Sequence, residues 1–139
     1  MLEGIDRSGK STLRNEIDRL SNDRLITIDR MTVSYRVYDR FFGRPGVVQR
    51  AGFLRFMERE LAWSLGLVII FVDTSPTECY RRSVEEGNPR YTVAELSEQR
   101  RLFLEELPHG AVTVFIVRPE GRSLHDVAEE CVRWVQTLT

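Results

Sequence analysis

The sequence predicts an α/β fold of three layers, with a parallel sheet of about four strands between helices on both faces. Three observations carry this expectation. Short apolar runs alternate with helix-period stretches along the chain, the arrangement that builds βαβ units. Residues 67–72 are apolar on both faces, as a central parallel strand is. Gly4-Ile5-Asp6-Arg7-Ser8-Gly9-Lys10-Ser11-Thr12 fits G-x-x-x-x-G-K-[ST] at every fixed position, between a strand end and a helix.

Taken in order, Met1, Leu2 and Glu3 end a first strand. Three residues are fewer than the five or so that usually cross a sheet, so the strand is either a stub or begins upstream. Residues 10–20 form a helix on the stripe Leu13, Ile17, Leu20. Residues 25–28 read as a buried strand closing on Asp29 and Arg30. Residues 34–42 are rich in aromatics (Tyr35, Tyr38, Phe41, Phe42) and stop at the break Gly43-Arg44-Pro45-Gly46. The long helix 47–65 puts Leu54, Met57, Leu61 and Leu65 on one face and ends at Gly66.

After the strand 67–72, Thr74 or Ser75 caps a helix with Pro76 at its first position. That helix ends at Glu86-Gly87-Asn88-Pro89. The next runs to Pro108 with Val93, Leu96, Phe103 and Leu107 inside. Residues 111–117 form the last strand, and Ser123 caps a final helix with an apolar face from Leu124 to Leu138.

Composition bounds the function. The 139 residues make one domain, 1–139, of ordinary soluble composition. A formal net charge of −1 gives no global attraction to nucleic acid or to an anionic membrane. No apolar run approaches the length of a membrane span, and no signal-peptide pattern precedes the glycine motif. Cys79 and Cys131 lack metal-ligand spacing and read as small buried residues of a reducing cytoplasm. His109 and His125 are isolated, and loop or surface positions are expected for both. Of twenty basic residues nineteen are arginine; the single lysine is Lys10. A compact ammonium suits a tight loop better than a planar guanidinium.

The glycine motif specifies its own chemistry. Gly4 and Gly9 let the backbone turn so that successive N–H groups, including that of Ser8, point at phosphate oxygens. A helix starting near Lys10 adds its positive end. Lys10 reaches the β- and γ-phosphates of a triphosphate, and the Ser11 hydroxyl ligates Mg²⁺. This predicts a P-loop NTPase fold. Asp29 and Arg30, at the carboxyl end of their strand, fall on the same rim as the loop.

Residues 3–12 closely resemble the thymidylate kinase loop E-G-x-D-x-x-G-K-[ST]-T. Asp29-Arg30 with Ser34 resembles that family's D-R-[YFW]-x-x-S, and short phage-type members extend it much as Val37-Tyr38 and Gly43-Arg44 do here. Residues 72–78, followed by Arg81 and Arg82, are similar to the segment leading into the family's lid, expected over about 81–92, and Arg90-Tyr91 resembles the lid's R-Y. The resemblance implies ATP and Mg²⁺ as cofactors. It implies that Asp6 orients the acceptor, Arg7 neutralises the moving phosphoryl group, Asp29 lies near Mg²⁺ and Arg30 near phosphates. Ser8, Ser11 and Thr12 belong to the phosphate loop, while Arg81, Arg82 and Arg90 close over ATP. Two departures stand out. The strand and helix that normally separate the loop helix from the Asp-Arg strand, and that supply much of the acceptor pocket, are missing, and position 31 is Met rather than aromatic.

The expected activity is phosphoryl transfer from ATP to a deoxynucleoside monophosphate. The alternatives are a kinase acting on a nucleoside or on a modified nucleotide within DNA, and a non-catalytic nucleotide-binding protein. DNA is disfavoured as a partner by the neutral net charge. Oligomeric state is open, a homodimer included.

Overall fold

The computed structural model describes residues 1–22, 24–107 and 112–138. Among them are six helices and three strands: β1 (Leu2–Glu3), α1 (Lys10–Ser21), α2 (Thr32–Phe41), α3 (Val47–Leu65), β2 (Val68–Val72), α4 (Pro76–Glu85), α5 (Val93–Glu106), β3 (Thr113–Val117) and α6 (Leu124–Gln136). The strands lie in the order β1-β2-β3, all parallel, with Leu2 beside Ile70 and Ile70 beside Phe115. His109 and Ala111 lie outside the described residues.

β2 sorts the chain into layers because successive side chains leave a strand on opposite faces. Ile69 and Phe71 pack with Val33 and Val37 of α2, Cys79 of α4, and Leu96 and Phe103 of α5. Ile70 and Val72 pack with Leu13 and Ile17 of α1 and with Val127 and Cys131 of α6. The result is the expected α/β/α sandwich. Both cysteines are free and buried within it, and burial pushes each thiol up to about 12.

Local signals set the helix ends. Ser75 caps α4 by accepting from Glu78 N, ahead of Pro76. Thr92 and Glu95 form a reciprocal capping box on α5. Ser123 accepts from Asp126 N at the start of α6, and Gly66 closes α3 in the left-handed region.

Two expectations need correction. Residues 25–28 are not a buried strand, and three strands form among the described residues rather than about four. Leu2 N donates to Ile28 O at 2.7 Å and Arg30 N donates to Leu2 O at 3.0 Å, leaving one bridge, Leu2 to Asp29. Residues 25–28 make no further ladder, and Ile26 is 91% exposed. The apolar face of α3 is only partly covered: Leu54, Met57 and Leu61 are half-buried and Leu65 is exposed. The one fully buried residue of α3 is Glu58.

Glu58 shows what fastens α3. Arg36 of α2, itself buried, donates to Glu58 Oε1 at 2.6 Å and to Glu106 of α5 at 2.9 Å. Thr32 Oγ1 donates to the same Glu58 oxygen, while Arg40 and Arg55 donate to Glu106. Polar bonds therefore join three helices at a place where α3 brings little apolar surface. Removing Glu58 would leave the buried Arg36 with Glu106 alone, a carboxylate already shared with Arg40 and Arg55. Glu58→Ala is expected to lower stability by about 3–5 kcal/mol, measured by urea unfolding; a loss below about 1 kcal/mol, the scale of an exposed pair, would show that the network does not hold α3.

Candidate functional site

Every parallel strand here points the same way, so the segments after β1, β2 and β3 meet at one rim. After β1 comes the glycine loop, residues 4–9. Gly4 has φ +152°, and a Cβ there would meet Val72 O at 2.8 Å and Ser8 Oγ at 2.9 Å. It is the point where the loop lies directly on β2. Gly9, at φ +93°, precedes α1. Thr74 Oγ1 donates to Ser8 O at 2.8 Å, and Arg82 donates to Arg7 O at 3.3 Å, pinning the loop from the α4 side.

Arg7 and Arg30 are non-glycine residues at φ 60° and 57°. Left-handed backbone costs an L-residue of this kind on the order of 1 kcal/mol, and such strain gathers at functional sites. Both side chains are held by carboxylates. Arg7 pairs with Glu86 just past α4, and Arg30 donates to Asp6 at 2.9 Å. The Arg30 guanidinium also lies over the Tyr38 ring, 5.8 Å from its centroid. Asp29 accepts from Ser11 Oγ at 2.6 Å through Oδ2, while its Oδ1 is buried without a partner.

Lys10 Nζ donates to Ile5 O at 2.6 Å and to Ser8 Oγ at 3.0 Å, which uses two of its three protons. Burial, reinforced by the nearby Arg30 charge, lowers its pKa to about 8. Beneath it Glu3 is completely buried. Glu3 accepts from Met31 N at 3.0 Å and from the Ser34 hydroxyl. Burial pushes the Glu3 carboxyl up, and those hydrogen bonds oppose the shift.

A cleft of about 640 Å³ opens above the loop. Of the residues singled out in the sequence, Asp6, Arg7, Ser8, Gly9, Lys10, Ser11, Thr12, Asp29, Arg30 and Arg82 line it. Gly4 lies under the loop. Arg81 does not line the cleft: consecutive helix positions point about 100° apart, and Arg81 bonds Glu78 and Glu85 on the outer side of α4. Arg90 belongs to a second pocket of about 290 Å³ with Asp6, Arg30, Met31, Ser34, Tyr35, Tyr38, Phe42, Arg44 and Tyr91. The two cavities share Asp6 and Arg30.

Sequence reasoning missed part of the cleft. Pro119 and Arg122 follow β3, and Leu124 and Val127 begin α6. Their signal was their place after the last strand, on the same rim as Asp29. Asp73, just after β2, accepts a bidentate pair from Arg100 of α5 at 2.7 and 2.9 Å. That pair ties the end of β2 to α5.

No protein-family model matches the chain, and no curated protein matches it by sequence. Among the described residues no group of three or more His, Cys, Asp and Glu could hold a metal ion, and no helix is long and apolar enough to cross a membrane.

As the only lysine, Lys10 gives one side-chain signal in an NMR titration. That signal is expected to titrate near 8 instead of the usual 10.5. Since the folded value is the lower one, the unfolded chain binds more protons between the two pKa values. The destabilisation from the buried charge is present in full below about 8 and is relieved as pH rises from 8 toward 10.5. A midpoint above 10 would mean that the ammonium is solvated.

Proposed function

We propose that this chain is an ATP- and Mg²⁺-dependent phosphotransferase of the thymidylate kinase type, acting on a nucleotide acceptor, in the simplest case a deoxynucleoside monophosphate. One observation carries the reading: the cleft over the glycine loop and the aromatic second pocket lie side by side, with Asp6 and Arg30 lining both. Donor and acceptor can then lie end to end.

The residues fit the roles. Phosphoryl transfer asks a protein for positioning and positive charge rather than a covalent partner. The glycine loop and the start of α1 supply backbone N–H groups. Lys10 supplies a donor and a charge next to them, and Arg7, Arg30 and Arg82 surround the same volume. Pro119, Leu124 and Val127 give apolar contact for a base. For magnesium, the donor set is hard oxygen: the Ser11 hydroxyl and the Asp29 carboxylate, whose Oδ1 lacks any partner. Few protein ligands are needed, because magnesium keeps waters and takes phosphate oxygens. When bound, the ion would neutralise charge on the β- and γ-phosphates.

On the acceptor side, Tyr35, Tyr38, Phe42 and Tyr91 offer ring faces to a base, and Arg44 and Arg90 offer charge to a phosphate. Asp6 stands between the pockets and is paired to Arg30, which fixes both at the transfer point. There an acceptor oxygen attacks the γ-phosphorus, the bond to the bridging oxygen breaks, and ADP leaves with the electron pair.

Labelled ATP offered with each deoxynucleoside monophosphate, with nucleosides and with DNA tests the reading; ATP binding without transfer to any of them would make the protein a non-catalytic binder. Lys10→Ala is expected to cost turnover about 10²–10³-fold with saturating ATP, and Lys10→Arg to fail as well.

Arg7 gives a sharper test. Arg7→Gly relieves a left-handed strain, so its melting temperature is expected to hold or rise. Its kcat should nonetheless fall at least about 10²-fold, as loss of a transition-state arginine does, while ATP affinity weakens only modestly. Collapse of ATP affinity with no separate loss in single-turnover rate would make Arg7 a binding residue only.

A further inference from the structure

The acceptor pocket does not end at Phe42. Beyond it lies an adjoining groove of about 550 Å³ lined by Tyr35, Asp39, Arg44, Arg50, Phe53 and Leu54, with Tyr35 and Arg44 common to both linings. The groove runs from α2 onto the first turns of α3. Three of the aromatic rings along pocket and groove are well exposed: Tyr35 at 60%, Phe42 at 46% and Phe53 at 62%. Arg44 stacks over Phe42, 5.3 Å from the ring centroid.

Charge follows the same path. From Asp29 to Glu60 inclusive the chain holds seven arginines and four acidic residues, although its net charge is −1. Arg36, Arg40 and Arg55 are spent inside, on Glu58, Glu105 and Glu106. Around the pocket and groove stand Arg30, Arg44, Arg50 and Arg90, and the carboxylates facing them are Asp6, Asp39 and, beside Arg30, Asp29. Arg44 and Arg50 both pair with Asp39, at 3.3 and 2.6 Å, so one charge of that trio is uncompensated. The surface is a positive track interleaved with exposed rings. Unpaired bases stack on rings, and the backbone between them is a row of anions. A mononucleotide would use only the first pocket.

We infer that the groove binds single-stranded nucleic acid, so that the acceptor nucleotide in the second pocket is carried on a longer strand whose neighbouring nucleotides lie along Tyr35, Arg44, Arg50 and Phe53. This rests on the acceptor side of the proposed function, and it deepens that reading from a free nucleotide to a nucleotide within a strand. The net charge of −1, which argued against DNA, conceals this local excess.

The test is equilibrium binding to the full chain without ATP. A fluorescein-labelled ten-residue oligothymidylate is titrated, with thymidine monophosphate as competitor, at about 50 and 200 mM salt. The oligonucleotide is expected to bind at least about tenfold more tightly than the mononucleotide, and to weaken as salt rises. Phe53→Ala should loosen the oligonucleotide about tenfold. Phe53→Tyr, which keeps the ring, should restore it, and affinity for the mononucleotide should not change in either variant. Equal affinity for oligonucleotide and mononucleotide, or an oligonucleotide affinity indifferent to Phe53→Ala, overturns the inference. So does a dimer by sedimentation that dissociates on Phe53→Ala while no oligonucleotide binds, since that makes the groove a face between copies. Failure of transfer from ATP with oligonucleotide binding intact counts against the kinase reading alone and supports the groove.

Discussion

A carboxylate removed from solvent, Glu3, is the constraint on which the site depends. It ends a strand of two residues, too short to be fixed by its own ladder. Its side chain takes the Met31 amide and the Ser34 hydroxyl, the groups that open α2. The Asp29-Arg30 corner is thereby held against the glycine loop from below, while Leu2 bonds Ile28 and Arg30 from the side. Burying a carboxylate is costly unless it is hydrogen-bonded, and these two donors provide that. The spacing between Glu3 and the Asp-Arg-x-x-x-Ser stretch thus has a physical basis: the last residue of one segment receives hydrogen bonds from the first turn of the other.

Much of this was legible in the chain because it is local. Caps at Ser75, Thr92 and Ser123, the glycine ends, and the doubly apolar β2 are written in short spacings and survive folding unchanged. The rim was legible too, since strand ends in a parallel sheet share a side. Where reading failed, the deciding partner was distant in sequence. Residues 25–28 have the composition of a strand, but pairing needs a partner elsewhere in the chain, and the one bridge made here is from Asp29 to Leu2. The apolar stripe of α3 put four residues on one face, whereas the helix is fastened by Glu58 reaching Arg36, an ionic contact no periodicity reports. Arg81 and Arg82 are adjacent and chemically identical, and only the rotation of α4 separates the one at the cleft from the one outside it.

Charge gives a related lesson. Summed over the chain, the arginines and carboxylates cancel. In space they are sorted into buried pairs that join helices and a smaller set facing the cavities. A buried guanidinium that finds its carboxylates contributes to the geometry of the bundle and little to the field outside. The field that a ligand meets comes from the few groups around its pocket, where arginines outnumber carboxylates although the chain as a whole is slightly negative.

The solitary lysine has a practical corollary. Lys10 sits in the glycine loop, is largely neutral above pH 8, and shares the molecule with no other side-chain amine. Any acylating reagent that spares the terminal amine and enters the cleft must report on that loop, so occupancy can be followed as protection of one peptide in a mass spectrum. The same chemistry warns against coupling the protein to a surface through its side-chain amine, because a tether on Lys10 would occupy the loop itself.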